Sequence, residues 1–223
     1  MASDQARRRA RRCVGPSDPL AAAGPVSRAE AALRRIVSDL RALARRFALV
    51  GGLAVSARTE PRLTRDADIA VLVTDDRDAE SLVRDLQARG WRVVTVIEQD
   101  VAARLATVRL APTEDLGGTV TDLLFASSGI EPEVVAGADR VEVLPGFVVP
   151  VARLDHLIAL KVLARDDRTR PQDRVDLAAL LARAAPDELE AARAALELVT
   201  RRGFQRGRDL HAALDSALSE FRP

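Results

Sequence analysis

At 223 residues, with 48% hydrophobic and 30% charged residues, the chain has the length and balance for one sizeable core, or one core plus a helical lobe. Aromatic residues make only 3% and Tyr is absent, so the core is expected to rest on Leu, Val and Ala. A net charge of +1 does not mark a nucleic-acid binder, and no apolar run approaches the roughly 20 residues of a membrane span. The N-terminal arginines are not followed by the apolar stretch of a secretory signal, and the lone Cys13 fits a reducing compartment, so the expected location is cytoplasmic, with no membrane partner.

Residues 1–26 combine an Arg cluster with Pro16, Pro19, Pro25, Gly15 and Gly24 and lack hydrophobic periodicity, which predicts a disordered basic tail. Ser27 to Glu30 is a capping-box pattern opening a helix to about Arg46, with an apolar stripe at Leu33, Ile36, Leu40 and Leu43. The tail and this helix are both basic; a solvated surface and a general attraction to RNA are both open. A buried strand at Phe47–Val50 is broken by Gly51-Gly52, then come a helix at Leu53–Arg58 and a strand at Asp66–Val73. Asp75 to Arg89 is amphipathic and stops at Gly90. Strands are predicted at Trp91–Ile97, Arg104–Leu110 and Thr119–Ala126, then a helix at Glu131–Ala138 and a hairpin turning at Pro145-Gly146. After about Pro150 the period becomes helical: Arg153–Arg165, Pro171–Ala184, Pro186–Arg201 and Gln205–Phe221. The division is therefore a tail at 1–26, an α/β unit at 27–151 and a helical lobe at 152–223.

Asp66 and Asp68 lie two apart at the mouth of a strand, so their carboxylates share one face while Ala67, Ile69, Val71 and Val73 face the core. Hard oxygen ligands so placed suit Mg²⁺, although a solvated strand start gives the same pattern. Asp122 sits in a strand apolar on both faces, GTVTDLLFA, and needs a partner. A metal shared with Asp66 and Asp68, or one of the many arginines, would serve. Gly51-Gly52, between a strand and a helix, is either a tight turn or a place where backbone N–H groups meet a phosphate.

Lys and Arg together number 34, and all but Lys161 are Arg. Lys161 is the only charged residue between His156 and Arg165 and falls on the stripe of Leu154, Leu157 and Ile158. It either snorkels to solvent or makes a point contact with a triphosphate. Asp173 and Asp176 could orient it or contact substrate. Their plainer readings are a helix-dipole contact and an Arg pair. His156 and His211 are isolated, which argues against zinc, and Ser127-Ser128 lacks a His/Asp arrangement for a nucleophilic triad.

Gly51, Gly52, Arg62, Thr64, Asp66 and Asp68, then Asp122 in VTDLLFA, then Lys161 and Asp176 in LDHLIALKVLARDDRTRPQDRVDL, together resemble the AbiEii/AbiGii-type nucleotidyltransferase family, which includes the MenT-like toxins of type IV toxin–antitoxin systems. The resemblance spans about Phe47 to Leu181. It implies a polymerase-β-like nucleotidyltransferase core, with a small mixed sheet, plus a C-terminal helical lobe. It also implies transfer of a nucleoside monophosphate from an NTP to an acceptor hydroxyl, with two Mg²⁺ ions and release of pyrophosphate. The acceptor would be the 3′ end of tRNA or another RNA, and the partner a cognate antitoxin protein. Asp66 and Asp68 would bind both ions, and Asp122 the ion that activates the acceptor. Gly51, Gly52 and Lys161 would hold the phosphates, with Arg62, Thr64 and Arg65 as neighbours. Gly52 stands where broader nucleotidyltransferases carry a serine, leaving the backbone alone to meet phosphate there. The alternatives are the same chemistry on a small-molecule or protein acceptor, and a non-catalytic nucleotide- or partner-binding module.

Overall fold

The computed structural model describes residues 28–60, 64, 66–99, 104–114, 119–166 and 171–222. The expected basic tail, Arg62, Arg65 and the Gly117-Gly118 pair lie outside the described residues. Helix α1 (Arg28–Ala42) leads to strand β1 (Phe47–Val50), helix α2 (Gly51–Arg58) and strand β2 (Ala67–Val71). Helix α3 (Asp76–Ala88) leads to strands β3 (Trp91–Gln99), β4 (Arg104–Pro112) and β5 (Thr121–Leu124). Helix α4 (Glu131–Ala136) precedes the hairpin of β6 (Asp139–Leu144) and β7 (Phe147–Val151), and helices α5 (Leu154–Ala164), α6 (Pro171–Arg183), α7 (Pro186–Arg201) and α8 (Leu210–Phe221) follow.

The strands form one seven-stranded mixed sheet in the order β3-β4-β5-β2-β1-β7-β6. Neighbours β2/β5 and β1/β7 run parallel and the other pairs antiparallel. All four residues of β1 are buried, as the apolar run FALV requires of a central strand. Helix α3 shows how local chemistry fixes an element. Asp75 caps it by accepting from the Asp78 N–H at 2.8 Å, and Ala79, Leu82, Val83 and Leu86 form its buried face. The one Trp in the chain, Trp91, is buried and donates its indole N–H to Asp39 at 2.8 Å. No helix among the described residues is long and apolar enough to cross a membrane.

Two element ends differ from the sequence expectation. Helix α1 stops at Ala42 rather than near Arg46, because Ala44 adopts a left-handed conformation (φ 53°). The N–H groups of Ala44 and Arg45 then bond to the carbonyls of Arg41 and Leu40 at 3.0 and 2.9 Å, a Schellman end made without glycine. Helix α8 begins at Leu210 rather than Gln205, because Asp209 caps it by accepting from the Ala212 N–H at 2.9 Å. The intervening loop turns through Arg206 and Gly207, both at positive φ.

The α7–α8 loop ties the last helices to the sheet. Arg202 forks onto Glu133 of α4 at 2.9 and 2.8 Å and also donates to the Gly129 carbonyl. That fork holds the Glu133 carboxyl below the usual carboxylate range. Gly129 is at φ +77°, and a Cβ there would come within 2.5 Å of the Phe204 ring, so glycine is required on both counts.

His156 lies in the first turn of α5, with its Nδ1 buried and without a hydrogen-bond partner. Burial pulls its pKa below the ordinary 6.5, with Asp155 opposing, so the folded state favours the neutral ring. The unfolded chain then binds the proton more readily, and this part of the stability is fully present above the unfolded value. It drains away as pH falls from about 6.5 toward the lower folded value. Melting temperature is expected to fall across that window in the wild type and to fall less in His156→Gln; thermal unfolding across that pH range checks this.

Candidate active site

Strand register builds the site. Arg109 of β4 lies directly opposite Asp122 of β5, Asp122 opposite Asp68 of β2, and Asp68 opposite Val50 of β1. Directly paired residues project to the same face, so Arg109, Asp122 and Asp68 stand in one row across three strands. Asp66 is two residues before Asp68 and just outside the strand, which starts at Ala67 rather than Asp66. Val50, at the end of β1, is followed at once by Gly51 and helix α2, so the row runs directly into the start of that helix.

Gly51 closes the end of that row. Its φ is +61°, and a Cβ there would fall 1.8 Å from Asp68 Oδ2, so the carboxylate rests directly against the Gly51 backbone. The helix it opens includes both glycines, two residues earlier than the predicted start at Leu53, and its N-cap Val50 offers no side-chain hydrogen bond. Val50 thus supplies no side-chain cap to the first-turn amides of α2, which open beside the row where a helix start accommodates an anion. Gly51→Ala is expected to cost about 1–2 kcal/mol for the left-handed backbone alone. Pushing the Asp68 carboxylate aside by about 1 Å is expected to reduce turnover about a hundredfold. Thermal melting and a transfer assay on the same preparation check both.

The row borders a cavity of about 600 Å³. Gly51, Gly52, Lys161, Asp173 and Asp176 line the same space. Leu157, Leu160, Leu163 and Ala164 of α5 make part of the lining apolar, while Thr64, Gln172, Ser127, Ser128 and Arg206 complete it. Every described residue singled out from the sequence as a candidate site residue therefore borders one space: Asp66, Asp68, Asp122, Gly51, Gly52, Thr64, Lys161 and Asp176.

Two side chains have partners that refine the sequence reading. Asp122 has an arginine: Arg109 donates Nε to Oδ1 at 2.8 Å and Nη2 to Oδ2 at 2.7 Å. The Asp122 hydrogen bonds hold the guanidinium above its ordinary range against the opposing effect of burial, and the charges of Asp66 and Asp68 add to the shift. Among the described residues no group of three or more His, Cys, Asp and Glu side chains is drawn together as a metal site. The donors themselves fit a hard cation: carboxylate oxygens only, with Asp68 and Asp122 adjacent on one face. Both Asp122 oxygens are occupied by the Arg109 guanidinium.

Lys161 neither snorkels nor stands alone. Its ammonium bridges Asp173 at 2.6 Å and Asp176 at 2.8 Å, with the side chains of Lys161 and Asp176 only 12% and 1% exposed. Gln172 Nε2 also donates to Asp176 at 3.2 Å. Helix α6 thus positions the lysine, which is one of the options the sequence left open for Asp173 and Asp176. Arg109 was the site residue missed. In sequence it is one Arg on a β-rich segment, and only the register of β4 against β5 reveals its partner. Ser127 and Ser128 border the cavity too, joined to the C-terminal helices by the bond from Arg206 to the Ser127 carbonyl at 3.2 Å.

The comparison with curated proteins returns no match. Among solved structures the chain is similar to the antibiotic-resistance factor ANT(2'')-Ia, at 18% identity over 84% of this chain and 91% of that one, with a TM-score of 0.45. It is also similar to an antigenic nucleotidyltransferase-like protein from Paracoccidioides brasiliensis, at 18% identity over 85% and 91%, with a TM-score of 0.49. MenT4, a nucleotidyltransferase toxin from Mycobacterium tuberculosis, aligns at 16% identity over 86% and 94%, with a TM-score of 0.33. These likenesses are distant, and the assignment rests instead on a family match that spans the α/β core and the helical lobe together. The family described as "Nucleotidyl transferase AbiEii toxin, Type IV TA system" matches residues 32–222, and the chain belongs to this nucleotidyltransferase toxin family.

Proposed function

We propose that this nucleotidyltransferase moves a nucleoside monophosphate from an NTP to the 3′-terminal hydroxyl of tRNA, with pyrophosphate leaving. The observation that carries the reading is the direct pairing of Asp68 with Asp122 on parallel strands, with the Asp68 carboxylate seated on Gly51 at the uncapped start of α2. Asp66 and Asp68 would hold two Mg²⁺ ions with the triphosphate, and Asp122 would share the ion nearer the acceptor. Bound there, the ions would lower the pKa of the attacking hydroxyl and neutralise charge on the leaving pyrophosphate. Asp122 would then take the acceptor's proton. The amides of Gly51 and Gly52 would receive phosphate oxygens without help from a side-chain hydroxyl. Lys161 donates to Asp173 and pairs with Asp176, and the ammonium's further donor capacity would meet the β- or γ-phosphate. Thr64, Arg62 and Arg65 would border the same phosphates.

An activity on NTPs and tRNA would be cytoplasmic, and the toxin–antitoxin family supports a cognate antitoxin protein as partner. The test is incubation with each α-labelled NTP, Mg²⁺ and total tRNA, beside a panel of small hydroxyl acceptors and protein. Label at the tRNA 3′ end is the expected result. Label on a small molecule or a protein would redirect the acceptor, and no transfer with nucleotide still bound would leave a nucleotide-binding module.

A further inference from the structure

The cation that the carboxylate row requires is already built into the sheet. Arg109 meets both Asp122 oxygens in a two-pronged bond. It borders the same cavity as Asp66 and Asp68. Its side chain is 41% exposed while that of Asp122 is 14% exposed. The guanidinium can therefore swing away by side-chain rotation alone, whereas Asp122 stays held by the backbone pairing of β5 between β4 and β2.

A bidentate guanidinium uses the oxygens a metal ion would use, so the two compete for Asp122. An incoming triphosphate changes the balance, because it offers the freed guanidinium equivalent oxygen acceptors. We infer that Arg109 is a resident counter-cation of the site: it holds Asp122 in the nucleotide-free protein, yields it to the metal, and re-pairs with a phosphate oxygen of the nucleoside triphosphate. Metal and nucleotide then bind cooperatively, each weak alone. This inference rests on the metal–NTP reading of the same cavity.

The test measures Mn²⁺ binding by electron paramagnetic resonance. It compares wild type, Arg109→Gln and Arg109→Lys, each with and without a non-hydrolysable NTP analogue. In the wild type the analogue should tighten Mn²⁺ binding about tenfold, within the range usual for coupled sites. In Arg109→Gln, Mn²⁺ alone should bind about tenfold tighter than in wild type, and the analogue should add little. Arg109→Lys keeps the charge but not the two-pronged bond, so it should fall between them and remains informative if the Gln variant does not fold. Variant affinities for Mn²⁺ alone equal to or weaker than wild type would overturn the inference and leave Arg109 as a structural ion pair. A wild type that binds neither Mn²⁺ nor the analogue would instead overturn the metal–NTP reading and the inference with it.

Discussion

Asp68→Asn is expected to reduce nucleotidyl transfer by roughly a thousandfold or more, since metal and charge stabilisation of this kind is worth several kcal/mol in the transition state. The reason lies in its place in the row. Asp68 is opposite Asp122 on one side and Val50 on the other, and its Oδ2 rests against Gly51. Asp68 thus both neighbours Asp122 and touches the start of α2. Asn has nearly the same volume, so the variant should keep the fold, and a melting curve close to wild type would show that the loss is chemical. Transfer at the wild-type rate would remove Asp68 from the metal assignment.

The largest effect on stability is expected from Lys161→Met. The ammonium bridges two aspartates, and the side chains of Lys161, Asp173 and Asp176 are 12%, 11% and 1% exposed. Removing one member of a buried ionic group leaves the others uncompensated, at a cost of about 3–5 kcal/mol. For a chain of this size that corresponds to a fall in melting temperature of roughly 6–20 °C. Asp173→Asn and Asp176→Asn, added to Lys161→Met, should restore much of the loss, because the buried charge goes with its partner. Lys161→Arg keeps the charge and should melt nearer to wild type, though the planar guanidinium cannot reproduce the compact bridge. If Lys161→Met melts with the wild type, the bridge contributes nothing and the lysine serves only the nucleotide.

Asp122, Lys161 and the Gly51-Gly52 pair, which border the cavity, were legible because each broke a local pattern. Asp122 interrupts an apolar strand, Lys161 interrupts an apolar helix, and Gly51-Gly52 interrupts the step from strand to helix. Element order was legible from periodicity through both halves of the chain. What sequence could not supply was register. Arg109 looks like any other arginine until β4 is laid against β5, and only then does Asp122 acquire its partner. Termini without a glycine signal were also missed: Ala44 ends α1 in the conformation usually reserved for glycine, and Asp209 starts α8 later than the apolar pattern suggests. The pairing of Lys161 with Asp173 and Asp176 joins two helices, and its geometry depends on how α5 and α6 pack.

The central claim, that the cavity bordered by Asp66, Asp68 and Asp122 is an NTP–metal site, is tested most directly by calorimetric titration of a non-hydrolysable NTP analogue, with and without Mg²⁺. Saturable binding that needs Mg²⁺ in the wild type and disappears in Asp68→Asn is the predicted result. Failure of the wild type to bind any NTP analogue in the presence of Mg²⁺, or equal binding by Asp68→Asn, would contradict it.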